Sequence, residues 1–496
     1  MSGSYLFYDL ETWGRDPRLS RIAQFAAIRT DLELRQVEEP IDFMVRPADD
    51  MLPSPGASMV TGIDPWDAQR EGVNEAEAFA RIQDEMSRPR TCVAGYNSLR
   101  FDDEFVRHGL FRNFFDPYER EWRGGNCRWD LLDVMRLAHA LRPDGIEWPQ
   151  RGDGKGTSFK LEHLAEANGV REGDAHEALS DVRALIGLAR RFRAAQPRLW
   201  DYALRLRDKR YCGGLLDITA PEPVLHVSQR YPATRLCAAP VLPLARHPQI
   251  DSRVIVFDLA SAPDALLELD AGDIADRVFV ANRDLPDGEE RIPLKEVQAN
   301  RCPALVPWRH LRAPDFERLG IEPGVVLGRA ARLRAAAPEL AEKVRQVFAA
   351  RAPLPPGDVD GALYDGFMPD ADRRRIAEVR ATPPAALGAR DFGFEDARLP
   401  ELLFRYRARN WPDTLDATER ARWDDYRRRR LAAHSGLSEV SLPGFFSELE
   451  TLRLAHAGDG RRLALLDRLE AWGRELQADL CDAAPAAGPD PAAVSQ

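Results

Sequence analysis

Lysine is scarce in this 496-residue chain: only five of its 69 basic residues are lysine, at 155, 160, 209, 295 and 343, and the other 64 are arginine. Cysteine is scarce as well. Its six positions (92, 127, 212, 237, 302 and 481) include no C-x-x-C pair, so no zinc ribbon or disulfide framework is suggested. A reduced, cytoplasmic protein is the expectation. No apolar run approaches the roughly 20 residues of a membrane-spanning helix, and Asp9 interrupts the first apolar stretch, against an export signal. Positive charge is not in excess either, since 80 Asp+Glu against 69 Lys+Arg leave a formal charge of −11. That balance speaks against indiscriminate nucleic-acid binding, but it does not describe local patches. A GC-rich coding bias is the plain source of so much arginine, although the rigid guanidinium fork also suits phosphate.

What is present is a folding chain of several domains. Hydrophobic residues make up 44% and charged residues 30%, and the length suits two to four domains. Residues 1–195 alternate strand and helix patterns: YLFYDL at 5–10, IAQFAAI at 22–28, IDFMV at 41–45 and TCVAGY at 91–96 read as strands. Helical periodicity follows Asn74 and runs over 101–115, 129–141, about 158–168 and about 175–195. The expected fold of this part is an α/β domain with a mixed sheet. Residues 196–353 read as a β-rich domain of short strands broken by proline and glycine, with some helix near 329–350. RAPLPPGD at 351–358 reads as a linker, 359–480 as a helical domain, and 481–496 as a disordered Pro/Ala tail.

Three short motifs carry chemistry. Asp9 and Glu11 lie two apart on the first strand, so they project from one face. Two such carboxylates repel unless a cation sits between them, and hard divalent cations take oxygen ligands. Asp102 and Asp103 follow at a strand-to-helix junction in YNSLRFDD, where either could instead cap the helix. The third motif is DAHEALSD, in which Asp174 and Glu177 have capping-box spacing, His176 opens the helix and Asp181 interrupts its apolar face. Each motif alone also has an ordinary reading as surface or capping residues.

Together, FYDLET, YNSLRFD and AHEALSD resemble the DEDDh 3′–5′ exonuclease superfamily. Further segments resemble its bacterial exodeoxyribonuclease I family, among them RWDLLDVMRLAHALRPDGIEWP (128–149), LYDGFMPDADR (363–373) and LLFRYRARNWPDTLD (402–416). The resemblance implies a ribonuclease-H-like exonuclease domain followed by an SH3-like domain and a helical domain. It implies processive release of 5′-mononucleotides from the 3′ end of single-stranded DNA, in repair and recombination. Asp9, Glu11, Asp102 and Asp181 would hold two Mg2+ ions, with Mn2+ as a substitute, and His176 would be the general base. The family pattern favours Asp102 over Asp103 as the ligand, and the active-site motifs do not distinguish deoxyribose from ribose.

Partners follow from the same resemblance. Thr12 would contact the terminal nucleotide, and Lys160, which stands where the family suggests arginine, would contact the strand. Arg405, Arg407 and Arg409, interleaved with Tyr406 and followed by Trp411, combine basic and aromatic groups as single-strand grooves do; a helix with an apolar core face and a solvated arginine face is the alternative. Arg427–Arg430 could also follow phosphates. Arg142, Tyr202 and Arg312 match a pocket for the acidic C-terminal tail of single-stranded DNA-binding protein, although Val306-Pro307-Trp308 beside it departs from the pattern. A monomer without membrane contact is expected.

Overall fold

The structure, a computed structural model, describes residues 3–173, 177–280, 282–286, 288–349 and 357–482. Its first sheet has five strands: β1 (Ser4–Thr12), β2 (Ile22–Thr30), β3 (Ile41–Met44), β4 (Thr91–Gly95) and β5 (Cys127–Asp130). Their spatial order is β3-β2-β1-β4-β5. The pairs β1–β2 and β2–β3 are antiparallel, whereas β1–β4 and β4–β5 are parallel. β1 is apolar almost throughout because helices cover both faces of the sheet. On one face, helices Leu131–Leu141 and Ala178–Ala195 bury Met135, Ala138, Val182 and Leu185 against Tyr5 and Phe7. On the other, helices Glu75–Met86 and Asp102–Arg112 bury Phe79, Ile82, Phe105 and Leu110 against Leu6 and Tyr8. Those two helices cross at Gly109, where an added Cβ would lie 1.8 Å from the Phe79 ring. The Asn74 side chain starts the first of them by accepting from the Glu77 N–H at 2.9 Å.

The sequence pattern runs a helix from 129, but Trp129 and Asp130 close the edge strand β5. No turn residue separates strand from helix, so periodicity gives no warning. Asp130 makes the break itself: its carboxylate accepts from the Leu132 N–H at 2.9 Å and caps the helix. The last helix of this domain likewise starts later than the capping-box spacing suggests. It begins at Ala178 with Glu177 as an N-cap lacking a side-chain bond, so Asp181 falls in its first turn.

The second sheet is antiparallel throughout, in the order β10-β6-β7-β8-β9, from strands β6 (Val224–Val227), β7 (Ala238–Arg246), β8 (Arg253–Asp258), β9 (Leu294–Gln298) and β10 (Ala304–Pro307). Pro240 and Pro243 do not break it. They lie inside β7, where a register shift between Pro243 and Ala245 absorbs the missing donor. Helices Pro323–Ala335 and Ala337–Ala349 cover one side of this sheet through Val326, Leu333, Leu340 and Val344. Most of the linker expected at 351–358 lies outside the described residues. A third, helical region follows, including Leu399–Asn410, Ala417–Leu431 and Gly460–Asp482. That last helix takes in 481 and 482, and the rest of the expected tail lies outside the described residues.

The helical region is joined to the first sheet domain by buried charge. Arg409 donates to Asp50 at 2.8 Å and to Asp360 at 2.5 Å, and Arg430 donates to Asp360 at 3.3 Å and to the Leu19 carbonyl at 2.8 Å. Arg21 stands 3.7 Å from Asp360. Several cations thus surround two carboxylates, Asp50 and Asp360, both held well below the usual carboxylate range. Burial opposes that shift, and the Arg409 guanidinium is the first of the charges that overcome it.

Candidate active site

The second half of β1 delivers Asp9 and Glu11 to one end of the sheet, and the first turn of helix Ala178–Ala195, which packs on β1, delivers Asp181. Carboxylate oxygens of these three residues lie within 4.8 Å of one another. Asp102, the first residue of helix Asp102–Arg112, faces them: after burial, its charge is the strongest influence raising the Asp9 carboxyl. Glu11 is raised by burial and then by Asp181 and Asp102, and Asp102 itself is raised mainly by burial. Among the described residues Arg171 brings a cation to the group, its Nη1 donating to Asp181 Oδ1 at 2.6 Å. Hard oxygen donors converging with so little positive charge fit a divalent cation in both chemistry and spacing.

Asp103 points elsewhere. It accepts from Tyr8 Oη at 3.0 Å, Arg120 Nη2 at 2.8 Å and Arg128 Nη1 at 2.7 Å, and those arginines hold it well below the usual range despite burial. Adjacent aspartates therefore have opposite environments because successive residues at the helix start point about 100° apart. His176 and Asp174 lie outside the described residues. Thr12 is buried beside Glu11, and its hydroxyl donates to the Gly14 carbonyl at 2.6 Å.

Lys160 is 68% exposed, with Nζ 2.9 Å from Glu162. It lines a cleft of about 1050 Å³ between the two sheet domains, together with Tyr96, Asn97, Arg136, Arg151 and Gln229. Asn97 ties this cleft to the acids, because it opens the segment leading to Asp102 and its N–H donates to Asp130 at 2.9 Å.

Arg405, Arg407 and Arg409 do not line a groove. Their side chains are only 6%, 7% and 2% exposed. Arg405 binds Asp358 and Asp360, Arg407 binds Glu419, and Arg409 joins the Asp50–Asp360 network. The alternating pattern seen in the sequence is explained by carboxylates on neighbouring segments: Asp50, Asp358 and Asp360 lie more than 40 residues away, and Glu419 lies in the first turn of the next helix. Arg427 and Arg430 are buried in the same way, while Arg429 is exposed.

Arg142 and Arg312 converge on Asp315, at 2.5 Å and 3.4 Å, with 30% and 62% of their side chains exposed. Tyr202 donates its hydroxyl to the Leu305 carbonyl at 2.6 Å and meets Tyr211 edge-on. Arg171 and the exposed aromatics of LYDGF were missed by sequence reasoning. Phe367 is 95% exposed and Tyr364 54%. A phenylalanine between glycine and proline-bearing polar segments, with no periodicity to bury it, was the available signal.

The mixed sheet and its converging acids define a ribonuclease-H-like exonuclease domain, and the two domains behind it narrow the class. An exonuclease family model matches residues 6–189, the exonuclease I SH3-like domain matches 207–350 and the exonuclease I C-terminal domain matches 357–476. The chain belongs to the exodeoxyribonuclease I family. It is 44% identical over 474 residues to exodeoxyribonuclease I of Escherichia coli strain K12, covering 95% of this chain and 98% of that one. The solved, moderately thermophilic exonuclease I from Methylocaldum szegediense matches with a TM-score of 0.91 and 46% identity, covering 96% and 99% of the two chains. The zinc-bound form of the E. coli exonuclease I complex with single-stranded DNA matches with a TM-score of 0.91 and 44% identity, covering 96% and 100%.

Proposed function

We propose that this chain degrades single-stranded DNA processively from the 3′ end to 5′-mononucleotides, in DNA repair and recombination, using two Mg2+ ions. The observation that carries the reading is the convergence of Asp9, Glu11 and Asp181 within 4.8 Å, with Asp102 facing them, in a chain of this family. These four carboxylates would hold the ions, which when bound polarise the scissile phosphate and stabilise the attacking and leaving oxygens of an in-line displacement. His176 is the general base in this reading. Its imidazole takes the proton of the attacking water, and the ordinary histidine pKa near 6.5 suits that task at neutral pH. Water adds to phosphorus, the P–O3′ bond breaks, and the shortened strand retains a 3′-hydroxyl. Thr12 can accept from the terminal nucleotide, since its own proton is committed to Gly14. Lys160 and Arg151 supply charge to the cleft, and exposed Phe367 offers a face on which a base can stack.

The same reading makes the protein a cytoplasmic monomer that docks the acidic tail of single-stranded DNA-binding protein. Supporting it are two partly exposed arginines, Arg142 and Arg312, brought together at Asp315. The deciding experiment compares digestion of 5′-labelled single-stranded DNA and RNA oligomers with Mg2+. Stepwise shortening of DNA with little attack on RNA is expected, and preferential RNA degradation would overturn the choice of substrate.

A further inference from the structure

The first sheet carries a second group of reactive side chains at its edge, away from the acids. Tyr5 on β1 is in register with Cys92 on β4, and Cys92 is in register with Cys127 on β5. In-register neighbours on adjacent strands are about 5 Å apart and share a face, and the titrations of these two thiols influence each other. Arg207 completes the row. It lies between helices Pro197–Arg205 and Lys209–Leu215, its Nε donates to the Leu204 carbonyl at 2.8 Å, and its Nη1 is 3.5 Å from Cys127 Sγ.

The two sulfurs are not equivalent. Cys127 opens the edge strand and is partly exposed, whereas Cys92 is buried between β1 and β5. The neighbouring Cys92 thiol, aided by the Arg207 charge, holds the Cys127 thiol below its usual range against the effect of burial, while burial pushes Cys92 up. A partly exposed cysteine beside a guanidinium, backed by a second, protonated thiol, is the arrangement that oxidation-sensitive pairs use. All six cysteines are free.

We propose that Cys127 and Cys92 form a peroxide-responsive thiol pair, with Cys127 as the sulfur first oxidised and Cys92 as the one that resolves it. The Cys127 thiolate attacks one oxygen of hydrogen peroxide, the O–O bond breaks, and the departing hydroxide takes a proton and leaves as water. Cys127 is then a sulfenic acid. The Cys92 sulfur attacks it, the S–S bond forms as the S–O bond breaks, and the second hydroxide leaves as water with the Cys92 proton. Two thiols and one peroxide give one disulfide and two waters. The new bond joins β4 to β5, the strands that end at Gly95 and Asp130 beside the Asn97–Asp102 segment.

The test treats the full chain with graded hydrogen peroxide, alkylates the remaining thiols and maps peptides by mass spectrometry without reduction. A Cys92–Cys127 linked peptide is expected, reversible by dithiothreitol. Cys92→Ser should leave a dimedone-reactive sulfenic acid on Cys127, and Arg207→Gln should slow Cys127 oxidation several-fold. Cys127 remaining reduced at peroxide levels that oxidise exposed Cys481 would overturn the proposal. So would a link from Cys127 to Cys302 instead of Cys92, or equal Cys127 reactivity in Arg207→Gln.

Discussion

Asp102 and Asp103 are neighbours in sequence, both buried, and belong to opposite electrostatic regimes. Asp102 joins Asp9, Glu11 and Asp181, where carboxylates outnumber cations and burial raises Asp9, Glu11 and Asp102. Asp103 joins Arg120 and Arg128, as Asp50 and Asp360 join Arg21, Arg409 and Arg430, and all three are held low. The difference lies in who supplies the positive charge. In the second kind of cluster the chain supplies it, within the first domain at Asp103 and across a domain junction at Asp50 and Asp360; in the first the described residues supply Arg171 against four carboxylates, and the site is left to attract metal. A buried acid without its cation costs folding energy, and active sites are where such costs are tolerated.

The largest expected effect comes from exchanging the partners of this pair. Asp102→Asn should lower nuclease turnover by more than the roughly 10–100-fold typical of residues that merely support a metal ligand, while leaving thermal stability equal or higher. Asp103→Asn should instead cost about 3–5 kcal/mol of stability by stranding Arg120 and Arg128, measured by chemical denaturation. Loss of stability in the first variant and none in the second would reverse the assignment.

Acid pH should separate the clusters next. Asp50, Asp103 and Asp360 have folded values below their unfolded ones, so their stabilisation is complete above the unfolded carboxylate pKa near 4. It is lost as pH falls through the lower folded values. The wild type should therefore lose stability steeply below about pH 4, and Asp360→Asn should be less stable at neutral pH with a flatter acid limb. Equal slopes would mean that the buried network does not drive acid unfolding.

Asp9 and Glu11 were legible because strand alternation is local, and the mixed sheet was legible from apolar runs and caps. Arg405, Arg407 and Arg409 were misread because their partners lie elsewhere in the chain: Asp50 belongs to the other domain, and Asp358 and Asp360 lie more than 40 residues away. Arg171 escaped notice for the related reason that its partner, Asp181, sits beyond the start of the next helix. β5 was hidden because Asp130 ends a strand and starts a helix without a turn residue between them.

Smaller effects distinguish groove from core. Arg407→Gln should weaken folding through loss of the Glu419 pair, while single-strand affinity of the folded fraction stays unchanged in a binding titration. Lys160→Ala should do the opposite, leaving stability intact and making the salt dependence of single-strand binding shallower by about 0.7 in log–log slope. An unchanged slope would remove Lys160 from the strand's path.

The most direct test of the central claim is thermal unfolding of the metal-free protein with increasing Mg2+ or Mn2+. A cluster in which carboxylates outnumber cations should be stabilised by the ion, with Tm rising in the wild type and rising much less in Glu11→Gln and Asp102→Asn. A Tm indifferent to divalent metal, or an equal rise in all three proteins, would contradict the account.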